Sequence, residues 1–188
     1  ASIVAKRLVT LLAERGEKPD ALLMSRERYT AHETISQGAV LLDGSENASV
    51  QYARCCRPIP GDTIVGYLGR GEGLVVHVAD CPIASRLRHK DAERFIHVDW
   101  ADDPSRAFEA DVIVTVTNGK GVLARVASAF AGAEADIIHM DMGEEAAQET
   151  TDLRFLISVR DSTHLDAVLR TLNRTPSVLK ASRVRPAG

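Results

Sequence analysis

The 188-residue sequence lacks several features that would place it at or beyond a membrane. No apolar run approaches the roughly 20 residues that a membrane-spanning helix needs. The first stretch, ASIVAKRLVTLLAERG, carries charges through its middle, unlike a secretory signal peptide. There are only 3 cysteines, an odd number, which makes a poor disulfide framework. We therefore expect no membrane association and a reducing, cytoplasmic compartment.

Aromatic residues and excess charge are also scarce. Aromatics make up 4% of the chain, so its cores must be built from valine, leucine, isoleucine and alanine. The net charge of −3 excludes the overall basic character of a dedicated nucleic-acid-binding protein, although a small local basic patch stays compatible with it. No paired acid and base and no Ser-His-Asp pattern can be assembled, so we expect no catalytic centre.

The first 47 residues predict the end of one domain and a connection to the next. In SIVAKRLVTLLAER the apolar residues recur at helical spacing, and Gly16 follows as a stop signal, so residues 1–16 are predicted to end a helical domain. Residues 17–47 show no sustained period and are predicted to be mostly linker. Because the chain starts at Ala within the helical pattern, we expect it to be a piece of a longer protein.

Residues 48–101 predict a small β-rich module. SVQYARC alternates like a strand, TIVGYL and LVVHVA flank a glycine-rich turn, and Thr63 to Ala79 is therefore predicted to be a β-hairpin. CPIASRLRHK indicates a turn and a short helix, and RFIHVDW a further strand.

Residues 107–186 predict a second module with the element order β-α-β-β-α-β. FEADVIVTVT, DIIHMDMGE, TTDLRFLISVR and VLKASRVRP are the strands, and VLARVASAFAGAE and DSTHLDAVLRTLNRTP the helices. Asp161 or Ser162 is the expected N-cap of the second helix. This order is typical of the ferredoxin-like split βαβ fold, so the whole chain is predicted to be α+β.

Two of the cysteines are adjacent, in YARCCRPIPGD. If the segment is extended, Cys55 and Cys56 should point to opposite faces, and a disulfide between them would distort the peptide. His77 and Cys81 lie four residues apart and should share a face. The four residues make a plausible tetrahedral zinc set. The alternative is that the cysteines are small buried hydrophobes and the histidine is structural.

Two glycine-rich turns invite a comparison with phosphate loops. GYLGRGEG joins two strands and is better explained as a hairpin turn. NGKG, with Asn118, Gly119 and Gly121, opens a helix at Val122, and backbone N–H groups at a helix start can bind an anion such as a small carboxylate. The alternative is a tight βα turn without a ligand.

These motifs resemble those of a known family. YARCCRPIPGDTIVGYLGRGEGLVVHVADC resembles the conserved-cysteine module, also called the zinc-finger or ribosome-intersubunit domain, of the long RelA/SpoT homologues. FEADVIVTVTNGKGVLARVASAFAGAEADI with TPSVLKASRVR resembles the ACT domain that ends those (p)ppGpp synthetase/hydrolases of the bacterial stringent response. The resemblance implies domains at 48–101 and 107–186 in a regulatory region that is not itself catalytic.

The resemblance also implies ligands and partners. It supports zinc on Cys55, Cys56, His77 and Cys81, and gives the ACT domain no cofactor. ACT domains pair edge to edge and bind an amino acid, branched-chain ones being favoured here, which implies a homodimer whose effector tunes the catalytic domains of the parent chain. The implied effector site comprises Asn118, Gly119, Gly121, Val122, Leu123, Ile138 and His139. In the alternative, a docking module without a ligand binds the ribosome or a protein regulator, with rRNA contacts at Arg54, Arg57 and Arg70.

Overall fold

A computed structural model describes residues 40–43, 50–102, 104, 106–142 and 149–184. The predicted helix at 1–16 and most of the predicted linker at 17–47 lie outside these residues. By internal contacts the chain divides into two units. The first comprises Ala1–Cys55 and Thr63–Arg106, and the second comprises Cys56–Asp62 and Ala107–Gly188. Among the residues described, no helix has the length and apolarity needed to cross a membrane.

In the part of the chain that the structure describes, the first unit contains two sheets and one α-helix. Its elements are β1 (Val40–Leu42), β2 (Val50–Tyr52), β3 (Ile64–Gly69), β4 (Gly73–Val78), α1 (Pro82–Lys90), a 3-10 turn (Ala92–Arg94), β5 (Phe95–Ile96) and β6 (Val98–Trp100). One sheet has the order β2-β4-β3-β5, and β1 pairs with β6 in a second sheet of two parallel strands.

The antiparallel β3–β4 pair confirms the predicted hairpin. Gly71 and Gly73 adopt positive φ angles of 83° and 77° in its turn, which explains the glycines there. The predicted strand RFIHVDW is instead two short strands, β5 and β6, which are separated at His97 and belong to different sheets. Strand β1 lies within the range predicted as linker, where VLL is too short to show a period.

The core of the first unit is aliphatic, as the scarcity of aromatics predicted. Alternate residues of the strands are buried, which is the pattern of strands with one face in a core. The buried cluster comprises Val40, Leu42, Val50, Ile64, Leu68, Leu74, Val76, Ile96 and Val98. Tyr52 and Trp100 stack at the border of this cluster with ring centroids 5.7 Å apart.

The second unit has the predicted ferredoxin-like fold. Its elements are β7 (Phe108–Thr117), α2 (Val122–Gly132), β8 (Asp136–Met142), β9 (Thr150–Val159), α3 (Ser162–Asn173) and β10 (Val178–Arg183). The strands form one antiparallel sheet in the order β10-β7-β9-β8. Alternate residues of β7 and β9 are buried, and Phe130 of α2 contacts Phe155 of β9 with ring centroids 4.9 Å apart. Asp161 caps α3 by accepting a hydrogen bond of 2.7 Å from the His164 N–H.

The segment Cys56–Asp62 belongs to the second unit through a set of polar contacts. Arg183 donates two hydrogen bonds of 2.7 Å to the carboxylate oxygens of Asp62 and a third, also of 2.7 Å, to the Arg57 carbonyl. The Ser162 N–H donates to the Pro60 carbonyl at 2.8 Å, and Ile59 is fully buried. This short segment is therefore fixed at several points.

Candidate metal and effector sites

Three cysteines and one histidine form a compact cluster. Cys55 and Cys56 lie in the turn that follows β2, His77 lies in β4, and Cys81 is the N-cap residue of α1. One ligand atom from each of the four residues can be chosen so that all lie within 4.8 Å of one another. The structure thus brings together all four residues that the sequence proposed as a metal set.

Two distances that involve Cys55 match those expected between the ligands of a tetrahedral metal ion. Cys55 Sγ lies 3.7 Å from Cys81 Sγ and 3.5 Å from His77 Nδ1. Zinc–sulfur bonds of about 2.3 Å and zinc–nitrogen bonds of about 2.0 Å place tetrahedral ligands about 3.8 Å apart for two sulfurs and about 3.5 Å apart for sulfur and nitrogen. The Cys₃His donor set is also one of the usual structural zinc sets. The cluster could therefore hold a metal ion.

The prediction that Cys55 and Cys56 point to opposite faces was wrong. It assumed an extended segment, whereas residues 54–56 form a turn and Arg57 adopts a positive φ of 39°. In a turn, successive side chains do not alternate as they do along a strand. Both thiols can therefore contribute to one cluster, which explains why two adjacent cysteines are useful here.

Burial favours the neutral form of the His77 imidazole. His77 is 4% exposed and Cys81 is 1% exposed. Burial lowers the pKa of His77 below its ordinary value of 6.5, because the charged imidazolium loses hydration. The neutral imidazole is the form that binds a metal ion, so it is already favoured at neutral pH.

The predicted effector turn is held by hydrogen bonds to β9 and to the residue that precedes it. The Asn118 N–H donates to the Glu149 carbonyl at 2.9 Å, and the Asn118 side chain donates to Thr151 Oγ1 at 2.8 Å. Gly121, at a φ of 76°, is the N-cap residue of α2 and supplies no side-chain cap to the first N–H groups. Val122 is buried, whereas Leu123 is 39% exposed.

Sequence reasoning missed Arg125, which the structure places beside this turn. Arg125 donates to Ser177 Oγ at 3.1 Å and to the Lys120 carbonyl at 3.4 Å. Its position four residues after Gly121 puts it on the same side of the helix, which the sequence could have revealed. Ser177, which has a positive φ of 75°, comes from the distant connection between α3 and β10 and gave no such signal.

Ile138 and His139 do not lie beside the turn within one chain. Both are exposed on β8, and Ile138 is 51% exposed. The turn follows the last residue of β7, which pairs with Thr150 of β9. His139 is in register with Leu156, which lies six residues further along β9 than Thr150. At about 3.3 Å per residue, roughly 20 Å of sheet separates His139 from the turn.

The three arginines proposed as partner contacts have different surroundings. Arg54 and Arg70 are exposed. Arg57, in contrast, forms ion pairs with Glu109 and, at 2.6 Å, with Asp111. The charge of Arg57 is thus matched within the protein by two carboxylates that the sequence could not place near it, and contact with rRNA stays a prediction.

Comparisons with known families match both parts of the chain. Residues 40–101 match the RelA/SpoT RIS domain, and residues 104–183 match the ACT domain. The chain is a RIS–ACT region of the RelA/SpoT family. Both the resemblance read from the cysteine motif and the α+β fold class with a ferredoxin-like ACT domain are thereby confirmed.

Curated relatives agree with this assignment. A GTP pyrophosphokinase of Escherichia coli strain K12 is 28% identical over 187 residues, which are 95% of this chain and 25% of the relative. The bifunctional (p)ppGpp synthase/hydrolase SpoT of the same strain is 30% identical over 152 residues, or 81% of this chain and 21% of the relative. The RIS–ACT region thus spans about a quarter of the length of such relatives.

A solved structure is similar to the ACT part. The ACT domain from a GTP pyrophosphokinase of Chlorobium tepidum is 14% identical, with a TM-score of 0.37. The similarity covers 42% of this chain and 99% of that one.

Proposed function

We propose that this RIS–ACT region regulates a (p)ppGpp synthetase/hydrolase of the bacterial stringent response by binding an amino acid at its ACT domain. The full-length relatives carry names for making or degrading such nucleotides, which supports this parent activity. The ligand would bind at the turn Asn118–Gly121, and the catalytic domains of the parent chain would respond. Branched-chain amino acids are favoured because Leu123, next to the turn, exposes an apolar side chain.

The open start of α2 is the observation that carries this proposal. Gly121 supplies no side-chain cap to the helix, although the Val122 N–H donates to the Gly119 carbonyl at 3.3 Å, and a helix start without a side-chain cap attracts a carboxylate. A Cβ added at Gly119 would meet only Val122 Cγ2, at 3.7 Å, so a ligand has room to approach the backbone there. Arg125 adds a positive charge next to the turn.

A homodimer forms part of the proposal. Since Ile138 and His139 lie far from the turn in one chain, a ligand that contacts both groups requires β8 of a second copy. A coupling free energy of about 1–3 kcal/mol between the effector site and the catalytic domains is enough to shift their balance. By linkage, the same coupling would change the affinity for the amino acid when the catalytic state changes.

The test is a thermal unfolding series of the 188-residue chain with each proteinogenic amino acid. A ligand at about 100 times its dissociation constant stabilises the folded state by about 2.7 kcal/mol, a shift of several degrees. We expect a shift with valine, leucine or isoleucine, together with dimerisation in sedimentation experiments.

Two glycine variants sharpen this test. Gly119→Val fills the approach to the turn without a backbone clash and should abolish the shift. Gly132→Ala, at the other end of α2 with nothing within 4 Å of the added Cβ, should keep it. A flat response to every amino acid would refute effector binding by this region.

We also propose zinc as the resident metal of the cluster, supported by its Cys₃His donor set and distances. The thiolates would hold the ion, and His77 would complete the tetrahedron. Cobalt is a suitable probe, because tetrahedral thiolate coordination gives intense visible and charge-transfer absorption. We expect a 1:1 endpoint that zinc displaces. His77→Ala should weaken binding, whereas His97→Ala, which alters an exposed histidine of the same unit, should not.

A second candidate function is docking to the ribosome without any small ligand. The match to the RIS domain and the exposed Arg54 and Arg70 support it. Co-sedimentation with ribosomes that weakens steeply with salt, is reduced in an Arg54→Ala/Arg70→Ala variant and is unaffected by amino acids would favour it over effector sensing.

A further inference from the structure

We propose that Cys55 and Cys81 form a reversible disulfide, which gives the cysteine cluster an oxidised state that cannot hold metal. None of the three cysteines forms a disulfide in this structure. Cys55 Sγ and Cys81 Sγ are 3.7 Å apart, so an approach of less than about 2 Å brings them to the S–S bond length of about 2.05 Å. This goes beyond the effector and docking functions proposed above.

The sheet of the first unit holds the two cysteines close together. β2 and β4 are parallel neighbours with Tyr52 in register with Val76, and Cys55 and Cys81 each follow the end of one of them. The Ala53 N–H donates to the Val76 carbonyl at 2.9 Å, and the Cys81 N–H donates to the Val78 carbonyl at 3.0 Å. Hydrogen bonds within the protein therefore anchor the backbone next to both cysteines.

The difference in exposure between the two thiols determines which of them reacts first. Cys55 is partly exposed, whereas Cys81 is 1% exposed, so an oxidant in solution reaches Cys55 first. With a small-molecule disulfide such as oxidised glutathione, the Cys55 thiolate attacks one sulfur, forms a mixed disulfide and releases one glutathione thiolate.

Cys81 then resolves the mixed disulfide. Its thiolate attacks Cys55 Sγ, forms the internal S–S bond and releases the second glutathione. The two cysteines together lose two electrons and two protons, and oxidised glutathione gains them as two molecules of reduced glutathione. Two molecules of reduced glutathione, or one molecule of a dithiol, reverse the reaction by the same two exchange steps.

The oxidised state and the metal-bound state exclude each other. A disulfide removes two of the four donors, since a metal ion needs thiolates. The remaining donors, Cys56 and His77, are too few for a tetrahedral site. Oxidation of a metal-loaded cluster would therefore release the ion. The disulfide itself can be tested without metal and does not depend on the zinc proposal.

The test uses single Cys→Ser variants of the 188-residue chain, each with two cysteines. Reduced, metal-free protein is equilibrated with oxidised glutathione, and the remaining thiols are alkylated and counted by intact mass. In Cys56→Ser, we expect neither remaining cysteine to be alkylated, because Cys55 and Cys81 form a disulfide within one chain. Cys55→Ser and Cys81→Ser should retain both sites or carry bound glutathione. Far-UV circular dichroism checks that each variant folds.

The outcomes separate this inference from its alternatives. Loss of both thiols in Cys81→Ser would indicate a bond between Cys55 and Cys56. Loss of both thiols in Cys55→Ser would indicate a bond between Cys56 and Cys81. Either result overturns the proposal if Cys56→Ser keeps its two thiols. Disulfides only between chains, or two reduced thiols in Cys56→Ser at all glutathione ratios, also overturn it. For a zinc-loaded chain, we expect one zinc ion released per disulfide, measured with a chromogenic chelator. Release without a disulfide would refute the coupling of oxidation to metal loss.

Discussion

Replacement of Arg183 by methionine should destabilise the second unit strongly. The side chains of Arg183 and Asp62 are 12% and 9% exposed. The substitution removes two hydrogen bonds to the Asp62 carboxylate and one to the Arg57 carbonyl, each of 2.7 Å. Asp62 would keep the hydrogen bond of 2.9 Å from the Ile59 N–H, but its charge would be left without the arginine.

The magnitude follows from the burial of the pair. Removal of one partner from a buried ion pair costs about 3–5 kcal/mol, because the other charge stays desolvated. Since both side chains retain some exposure, we expect the lower end, about 3 kcal/mol. For a unit of this size that corresponds to a decrease in Tm of roughly 12 °C or more.

The assay is differential scanning calorimetry with urea unfolding on the intact chain, with two comparison variants. Asp62→Asn/Arg183→Met removes both charges and should recover part of the loss, which a double-mutant cycle measures. Arg160→Met breaks the pair with Glu134, whose side chains are 67% and 76% exposed, and should cost less than about 1 kcal/mol. If Arg183→Met costs no more than Arg160→Met, the pair does not fix the segment, and the reasoning is refuted.

Three further predictions concern other parts of the fold. Gly61→Ala should lower the free energy of unfolding by about 2 kcal/mol more than Gly71→Ala does. Both glycines have positive φ angles, 95° and 83°, but only the Cβ added at Gly61 meets a side chain, 2.0 Å from Ser162 Oγ. Equal unfolding free energies for the two variants would contradict this. In the metal-free chain the lowered pKa of His77 means that the unfolded state binds its proton more readily. The contribution of neutral His77 to the free energy of unfolding should be complete above pH 6.5 and should be lost as the pH falls below that value. In urea unfolding, the His77→Gln variant should lack this loss of stability at low pH. His164→Leu removes side-chain hydrogen bonds of 2.8 Å and 3.2 Å to two backbone groups and should cost about 1–3 kcal/mol in the same assay, whereas an unchanged stability would show that water replaces them.

The sequence by itself determined the features that depend on local pattern. The alternation in TIVGYL and LVVHVA predicted the β3–β4 hairpin, because apolar side chains two residues apart share the buried face of a strand. The order of strands and helices after residue 107 predicted the ferredoxin-like unit, since right-handed crossovers leave few other arrangements. Residue type and position predicted Asp161 or Ser162 as the cap of α3, and the structure shows that Asp161 is the cap.

The tertiary structure decided what depends on pairs distant in sequence. Nothing local in the sequence pairs Arg57 or Arg183 with a carboxylate, because the fold brings those carboxylates beside them from far along the chain. The turn at residues 54–56 turned two adjacent cysteines toward one cluster, contrary to the alternation expected of a strand. The sequence could name the metal-binding residue types, but only the pairing of β2 with β4 set the distances between them, because side-chain chemistry is local and the separation of two side chains is a property of the whole sheet.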